Sequence, residues 1–347
     1  MRRLAAAFLS LLLALTPSLL QAAESLRIAT FGYPFSREGP GLLLRDILAG
    51  KDPDLRRAEA AILKARPDIL LLTDFDYDYR LIALSALAAR LREGGLDYPH
   101  LFAFRPNSGM ASGADLDRDG RLGTPRDALG YGRFAGDGGM ALLSRYPILQ
   151  EEARDFSALL WRDLPEADLP PWPPERRNPA ADAVQRLSSR GHWDVPIAAL
   201  SGGRPLHVLA WSATAPLFDG PEKANLRRNA DEARFWLLLL DGALEWTPPP
   251  APFVLMGNAN LDPENGAGRH EAIRRLLADP RLQDPGPPAP TAIWPRKSSG
   301  GTQGPLRLRV DYALPSTDLD VIGSGLLWPE APPGSRNRAL LWVDLRR

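Results

Sequence analysis

The 347-residue sequence contains no cysteine and only four histidines. Without cysteine the chain can form neither a disulfide framework nor a thiolate metal site, and it cannot carry a lipid on an N-terminal cysteine. His100, His207 and His270 show no spacing typical of metal ligands. The chain also lacks an excess of either charge, because 42 Lys and Arg residues balance 42 Asp and Glu residues. The absence of a global positive field argues against nucleic acid as a partner.

The N-terminus has the three parts of an export signal. Two arginines precede an apolar run over residues 4–15, and Gln21-Ala22-Ala23 follows it. The run is too short to span a bilayer comfortably. We therefore predict a signal peptide over residues 1–23 and a periplasmic or secreted mature protein without a stable membrane span. The alternative is an N-terminal anchor that stays uncut.

The remaining chain has a globular composition, with 44% hydrophobic and 24% charged residues. Apolar stretches of strand length alternate with helical stretches, which indicates a layered α/β domain. Asp52 and Pro53 predict a helix start, and apolar residues recur at helical spacing until Pro67, before a strand at 69–72. Further helices are predicted at 81–91, 224–240 and 271–277. Further strands are predicted at 206–211, 253–256 and 308–314.

Two stretches could be mistaken for domain linkers. Residues 157–180 hold six prolines, and residues 285–305 are rich in Pro, Gly and Ser. We interpret both as surface loops, because matching motifs lie on both sides of each loop. The sequence therefore predicts a single domain over residues 24–347.

Six segments occur in the order typical of one protein family: residues 26–31, 66–74, 139–148, 257–260, 309–315 and 340–345. They resemble the endonuclease/exonuclease/phosphatase superfamily, in its exported bacterial branch. The resemblance implies a four-layer α/β sandwich, in which two facing mixed β-sheets are flanked by helices and the site lies at the strand ends. It also implies phosphoester hydrolysis. One carboxylate holds a divalent cation, a second helps to generate hydroxide, and histidines with an aspartate stabilise the phosphoryl charge.

Two of the family's carboxylate positions differ here. Asp74 stands where the family has a metal-binding Glu, which keeps the charge but shortens the side chain by one bond, ~1.5 Å. The alternative is that Asp74, Asp76 and Asp78 form only an acidic loop. Asn258 replaces the Asp of Gly-Asp-x-Asn, and an amide can neither accept a proton nor carry negative charge. Asn260, the second polar residue of that motif, is retained and could orient a phosphate oxygen or satisfy a turn.

The other matched positions are mostly substituted as well. Ser212 stands where the family has a histidine, and Asn337 and Arg338 replace an Asp-His pair before the last strand. Gly32 stands where the family usually has an asparagine near the metal. Asp311 keeps recognisable site chemistry. The family's Glu, two Asp and two His correspond to Asp74, Asn258, Asn337, Ser212 and Arg338 here, so that one carboxylate stands in place of three and a fixed cation is added.

These substitutions predict a catalytically impaired or inactive relative that retains a phosphate-shaped cleft. Loss of a general base costs about 10²- to 10⁴-fold in rate, and loss of one electrostatic donor ~10²- to 10³-fold. The cleft also offers Mg²⁺ or Mn²⁺ a poor ligand set. The alternative is a divergent metal-dependent phosphoesterase centred on Asp74, in which Asp76, His192 or Asp262 replaces a missing group.

Arg338 adds a positive charge to the site, which suggests an anionic ligand in place of a divalent cation. We predict that Arg338 substitutes for the lost metal and that the cleft holds a phosphate-containing small molecule without a divalent cation. The alternative is that Arg338 points to solvent at a degraded rim.

A second candidate site is independent of the first. Three aspartates at alternate positions, and a glycine at the sixth, follow the pattern of an EF-hand-type loop: Asp115, Asp117, Asp119 and Gly120. The carbonyl of Arg121 would add a fourth ligand oxygen. The twelfth position is Arg126 rather than Glu, and Asp127 comes one residue later. The pattern predicts a structural Ca²⁺, and the alternative is a metal-free acidic turn.

Two further motifs are less specific. Arg227, Arg228 and Asn229 open a predicted helix, where they could meet a phosphate or form a solvated face. His192 could border the cleft or be a structural histidine.

Overall fold

The computed structural model describes residues 25–295 and 304–347. The predicted signal peptide lies outside these residues, as does part of the loop at 285–305. The described strands are β1 (Ser25–Phe31), β2 (Ile69–Phe75), β3 (His100–Phe102), β4 (Gly139–Ser144), β5 (Arg154–Asp155), β6 (Gly191–Ile197), β7 (Leu206–Ser212), β8 (Phe253–Asn258), β9 (Ala292–Trp294), β10 (Leu306–Leu308), β11 (Asp311–Pro315), β12 (Val321–Leu327), β13 (Asn337–Arg338) and β14 (Leu340–Arg346). The described α-helices are α1 (Leu42–Ala49), α2 (Pro53–Ala65), α3 (Ile82–Glu93), α4 (Pro179–Val184), α5 (Ala224–Leu240) and α6 (His270–Leu277).

The strands form two large mixed sheets and one small sheet. The first large sheet has six strands in the order β12-β14-β1-β2-β4-β3, and the second has five in the order β11-β8-β7-β6-β5. β1 and β2 are parallel, as are β7 and β8, whereas the other neighbours in these sheets are antiparallel. β9, β10 and β13 form the small sheet.

Apolar side chains on both faces of the large sheets explain the layering. Leu26 and Ile28 of β1 pack into a core shared with the other sheet, whereas Phe31 packs with α1, α2 and α3. In β8, Val254 faces the shared core and Leu255 packs with α5 and α6. Strands buried on both faces read as continuous apolar runs, and helices supply the outer layers. The predicted four-layer sandwich is therefore confirmed.

Helix α2 shows how local sequence sets an element boundary. Oδ1 of Asp52 accepts hydrogen bonds from the N–H groups of Asp54 at 2.8 Å and Leu55 at 3.0 Å. Pro53 occupies the first turn, where no donor is needed. The helix ends at Ala65, within the predicted bounds.

The strand predicted at 308–314 is wrong in extent. β10 ends at Leu308 and pairs with β9, whereas β11 begins at Asp311 and pairs with β8. Between them, the N–H of Arg309 donates to Oδ2 of Asp262 at 2.7 Å, so the chain changes sheets there. Hydrophobic periodicity carries no signal for such a contact between distant residues.

The proline-rich loop at 157–180 does not separate the strands on either side of it, because β5 and β6 pair directly. No helix in the described ranges is long and apolar enough to cross a bilayer.

Candidate functional site at the strand ends

Parallel pairing brings the family-matched positions to one edge of the sandwich. β7 and β8 run side by side with Ser212 next to Asn258, and Asp311 at the start of β11 pairs with Asn258 from the other side. β1 and β2 are parallel in the other sheet, so Gly32, just after β1, and Asp74, near the end of β2, lie at the same edge. The two sheets therefore present these residues together.

The site contains a buried ion pair. Nη2 of Arg338 lies 2.6 Å from Oδ1 of Asp311, and the two side chains are 2% and 0% exposed. Burial raises the pKa of Asp311, and the attraction of Arg338 opposes that rise. Oδ2 of Asp311 and Nε of Arg338 have no hydrogen-bond partner among the described residues. Arg338 therefore points into the protein, and the interpretation that it points to solvent is wrong.

Gly32 leaves the space that this guanidinium fills. A Cβ atom at position 32 would lie 2.4 Å from Nη2 and 3.0 Å from Cζ of Arg338. Such a contact would force the guanidinium away from its observed position. An asparagine at position 32 is thus incompatible with the observed position of the Arg338 side chain. The residues at positions 32 and 338 are therefore sterically coupled.

Asp74 lies between a guanidinium and a glycine. Its Oδ1 is 3.6 Å from Nη2 of Arg190, and 13% of its side chain is exposed. A Cβ atom at Gly138 would lie 2.6 Å from the same oxygen, and Gly138 has a φ of 58°, which favours glycine. The carboxylate at the family's metal position is therefore paired with a fixed cation.

Arg190 also lies beside Ser212, where the family has a histidine. Nη1 of Arg190 donates to the carbonyl O of Thr73 at 2.5 Å and lies 3.5 Å from Oγ of Ser212. Oγ of Ser212 donates to the same carbonyl at 3.3 Å. A small residue thus adjoins an arginine here, as Gly32 adjoins Arg338.

The three asparagines at matched positions make structural hydrogen bonds. Oδ1 of Asn258 accepts from the N–H of Asn260 at 3.0 Å, and Nδ2 of Asn260 donates to the carbonyl O of Ala213 at 2.7 Å. Asn260 has a φ of 51°, a left-handed conformation that asparagine tolerates. Oδ1 of Asn337 accepts from the N–H of Arg338 at 3.0 Å. These amides stabilise the strand ends, and none of them can act as a base.

Arg336 adds a third guanidinium near this site. Its side chain is accessible to water and makes no hydrogen bond or ion pair with another described residue. Its pKa is lowered because the surrounding protein desolvates it and because Arg338 and Arg190 repel it, while Asp74 and Asp311 attract it.

A divalent cation, which the family resemblance implies, does not fit these residues. Such ions bind several carboxylate or carbonyl oxygens. Asp311 is neutralised by Arg338, and Asp74 faces Arg190. Within residues 25–295 and 304–347, no three Asp, Glu or His side chains converge at the strand ends to share an ion.

The carboxylates that could replace a missing base hold backbone groups. Asp76 accepts from the N–H groups of Gly138 at 3.0 Å and Arg37 at 2.9 Å, and burial raises its pKa to about 6. Asp262 accepts from the N–H groups of Glu264 and Arg309 at 2.9 Å and 2.7 Å. Both side chains therefore stabilise loops.

His192 is a structural histidine. Its Nε2 lies 3.1 Å from the carbonyl O of Glu232, and its ring packs against Phe235 with 4.8 Å between ring centroids. Burial lowers the pKa of His192 to about 3, so the ring is neutral at physiological pH.

The motif at 227–229 forms neither a solvated face nor an open phosphate site. Arg228 and Asn229 are buried, and Arg227 pairs with Asp168.

Sequence reasoning missed Arg190 and Arg336. Arg190 directly precedes β6, and Arg336 directly precedes the matched pair Asn337-Arg338. An arginine beside a strand end commonly faces solvent, so only the tertiary structure reveals the contacts of Arg190 with Thr73 and Asp74.

The acidic loop brings together three carboxylates. One oxygen from each of Asp115, Asp117 and Asp127 lies within 4.8 Å of the others. Asp119 lies outside this group, and its Oδ1 accepts from the N–H of Arg121 at 2.8 Å. The third carboxylate of the cluster therefore comes from Asp127, one residue after the twelfth position of the EF-hand pattern.

Comparisons with known proteins agree with this architecture. The family model described as Endonuclease/Exonuclease/phosphatase family matches residues 43–340. One similar solved structure is an endonuclease/exonuclease/phosphatase from Beutenbergia cavernae DSM 12333, with a TM-score of 0.53 and 18% identity over 93% of this chain and 71% of that chain. Another is sphingomyelinase C from Streptomyces griseocarneus, with a TM-score of 0.50 and 18% identity over 93% of this chain and 99% of that chain.

At these identities the structural likeness shows the fold alone. A comparison with curated proteins gives no match. The family model covers most of the sequence, and this chain therefore belongs to the endonuclease/exonuclease/phosphatase family.

Proposed function

We propose that this protein is an exported family member whose strand-end cleft binds a phosphate-containing anion without a divalent cation. It hydrolyses phosphoesters poorly or not at all. The observation that carries the proposal is the Arg338 guanidinium, which fills the space beside Gly32 and neutralises Asp311 at full burial. Export remains a prediction from residues 1–23, which lie outside the described residues.

The same residues explain the proposed loss of hydrolysis. A metal-dependent phosphoesterase needs a bound cation and a base for the attacking water. Asn258 supplies an amide whose oxygen accepts a backbone N–H, and Ser212 supplies a hydroxyl that donates to a backbone carbonyl. Neither group can take a proton from water near neutral pH.

The arginines support binding of an anion. Guanidinium groups present several N–H donors in a planar arrangement that matches phosphate oxygens. Arg338 is buried and supplies fixed charge, whereas 30% of the Arg190 side chain is exposed and Arg336 is accessible to water. Arg190 and Arg336 are therefore the groups that would contact the ligand.

Thermal-shift titration with inorganic phosphate tests this proposal. We expect phosphate to raise the melting temperature equally in EDTA and in excess magnesium. At a phosphate concentration of 100 Kd the stabilisation should approach about 2.7 kcal/mol. Stabilisation that strictly requires magnesium would overturn the proposal, as would the absence of any phosphate effect.

Two matched variants sharpen that titration. Arg190→Met should weaken phosphate binding at least tenfold, which corresponds to about 1.4 kcal/mol for a lost charged hydrogen bond. Arg145→Met removes a guanidinium that pairs with Asp68 at 2.6 Å, at the opposite end of β2 from Asp74, so it should leave phosphate binding unchanged.

We also propose that the acidic loop holds a structural Ca²⁺. The donor set fits: three carboxylates converge, and Oδ1 of Asp117 is buried without a hydrogen-bond partner among the described residues. Gly120 has a φ of 84°, which suits the sharp turn of an EF-hand-type loop. Asp115, Asp117 and Asp127 would hold the ion, which would supply positive charge against their mutual repulsion.

Calcium binding can be measured by isothermal titration calorimetry and by the change in melting temperature on adding EDTA. We expect Ca²⁺ to stabilise the protein and Asp117→Asn to abolish binding. Asp119→Asn is the matched control, because Asp119 lies outside the cluster, and it should retain binding. Equilibrium dialysis that shows no bound ion at millimolar calcium would contradict the proposal.

A further inference from the structure

Of the four buried polar side chains on helix α5, three bind backbone groups around the proposed site. Arg228, Asn229 and Glu232 are 7%, 0% and 0% exposed. Burying charged groups is costly unless their hydrogen bonds are satisfied. The hydrogen-bond partners of these three side chains therefore indicate what the side chains do.

Both oxygens of Glu232 bind groups that flank the site. Oε1 accepts from the N–H of Ser189 at 2.7 Å and from its Oγ at 2.9 Å. Oε2 accepts from the N–H of Thr214 at 2.6 Å. Ser189 directly precedes Arg190, and Thr214 lies two residues after Ser212. One carboxylate thus bridges the two segments that carry these site residues.

The bridge lies where the β6–β7 ladder ends. Gly191 and Ser212 are the last pair of that ladder. Beyond this pair, the segments that flank β6 and β7 are no longer joined by ladder hydrogen bonds. The carboxylate of Glu232 links Ser189 to Thr214 there instead. Arg190 is therefore held on one side by the ladder and on the other by Glu232.

Arg228 and Asn229 extend the same arrangement. The Arg228 guanidinium donates to the carbonyl O atoms of residues 186–188 at 2.8, 2.8 and 3.0 Å. Nδ2 of Asn229 donates to the carbonyl O of Thr214 at 2.7 Å and of Ala259 at 2.9 Å. Ala259 lies between Asn258 and Asn260, so α5 contacts the segments around three matched positions. Burial raises the pKa of Glu232, while Arg228, one turn earlier, opposes that rise.

We propose that Glu232 is a positioning residue of the anion site. It fixes the backbone just before Arg190 and just after Ser212, and thereby places the Arg190 guanidinium next to the Thr73 carbonyl and Asp74. Glu232 touches neither the guanidinium nor the ligand and acts through Ser189 and Thr214. The inference rests on the proposed function, because that function makes Arg190 an anion contact.

The test compares Glu232→Gln with Asp231→Asn. Asp231 is a neighbouring buried acid whose Oδ2 accepts from Nε1 of Trp161 and the N–H of Asp168, both at 2.8 Å, away from Arg190. In Glu232→Gln an amide NH₂ group replaces one carboxylate oxygen. It would face the backbone N–H of Ser189 or Thr214 and could not accept that hydrogen bond. Calorimetric phosphate titration well below the melting temperature should show at least tenfold weaker binding for Glu232→Gln, about 1.4 kcal/mol, and unchanged binding for Asp231→Asn.

Amide hydrogen exchange provides a readout without ligand. Exchange at residues 189–190 and 213–214 should rise in Glu232→Gln and stay at the wild-type level in Asp231→Asn. Equal loss of phosphate affinity in both variants, or unchanged exchange at those residues in Glu232→Gln, would overturn the positioning role. Failure of the wild-type protein to bind phosphate would overturn the proposed function instead, and the exchange measurement would still decide the role of Glu232.

Discussion

Replacing Arg338 with methionine should lower the free energy of unfolding by about 3–5 kcal/mol, because it leaves the carboxylate of Asp311 buried without its partner. Urea denaturation followed by tryptophan fluorescence would measure the change. A combined Arg338→Met and Asp311→Leu variant should recover most of the loss, since it removes both charges.

An exposed ion pair serves as the control for this experiment. Arg346 pairs with Asp320 at 2.5 Å with more than half of each side chain exposed, and Arg346→Met should cost only ~0–1 kcal/mol. If Arg338→Met also cost less than 1 kcal/mol, the buried pair could not be the element that organises the strand ends.

Purified protein should hydrolyse a generic phosphodiester, such as bis-p-nitrophenyl phosphate, at least ~10⁴-fold more slowly than a family member with intact catalytic residues assayed alongside it. A missing base and a missing histidine each remove a factor of about 10² or more, although such losses are not strictly additive. The rate should be equally low with magnesium, manganese or calcium. Asp74→Ala should leave it unchanged.

The same assay decides between the two functional interpretations. Metal-dependent turnover that disappears in Asp74→Ala would establish a divergent phosphoesterase centred on Asp74. Such turnover would also require a cation to displace the Arg190 guanidinium, because its Nη2 lies 3.6 Å from Oδ1 of Asp74.

The substituted positions are connected through space. Gly32 is small where the Arg338 guanidinium needs room, and Ser212 is small beside Arg190. Under the proposed function, replacing Gly32 or Ser212 alone should not create hydrolytic activity, because Arg338 and Arg190 would still occupy the adjacent space.

Much of the architecture could be predicted from the sequence, because its determinants are local. The N-cap at Asp52 and the helical spacing that follows set the bounds of α2, and α5 was predicted over its observed range. The matched motifs also indicated that polar residues would meet at strand ends, since parallel strands end at a common edge. Only the tertiary structure could decide how these residues interact.

The reason is that the decisive contacts join residues far apart in sequence. Arg338 binds Asp311, 27 residues away, and Arg190 binds the carbonyl of Thr73, 117 residues away. Periodicity and motif spacing report the chain's local conformation and the face that each residue occupies. They carry no information on which distant side chain fills a neighbouring space, and under the proposed function that choice determines whether the site favours a cation or an anion.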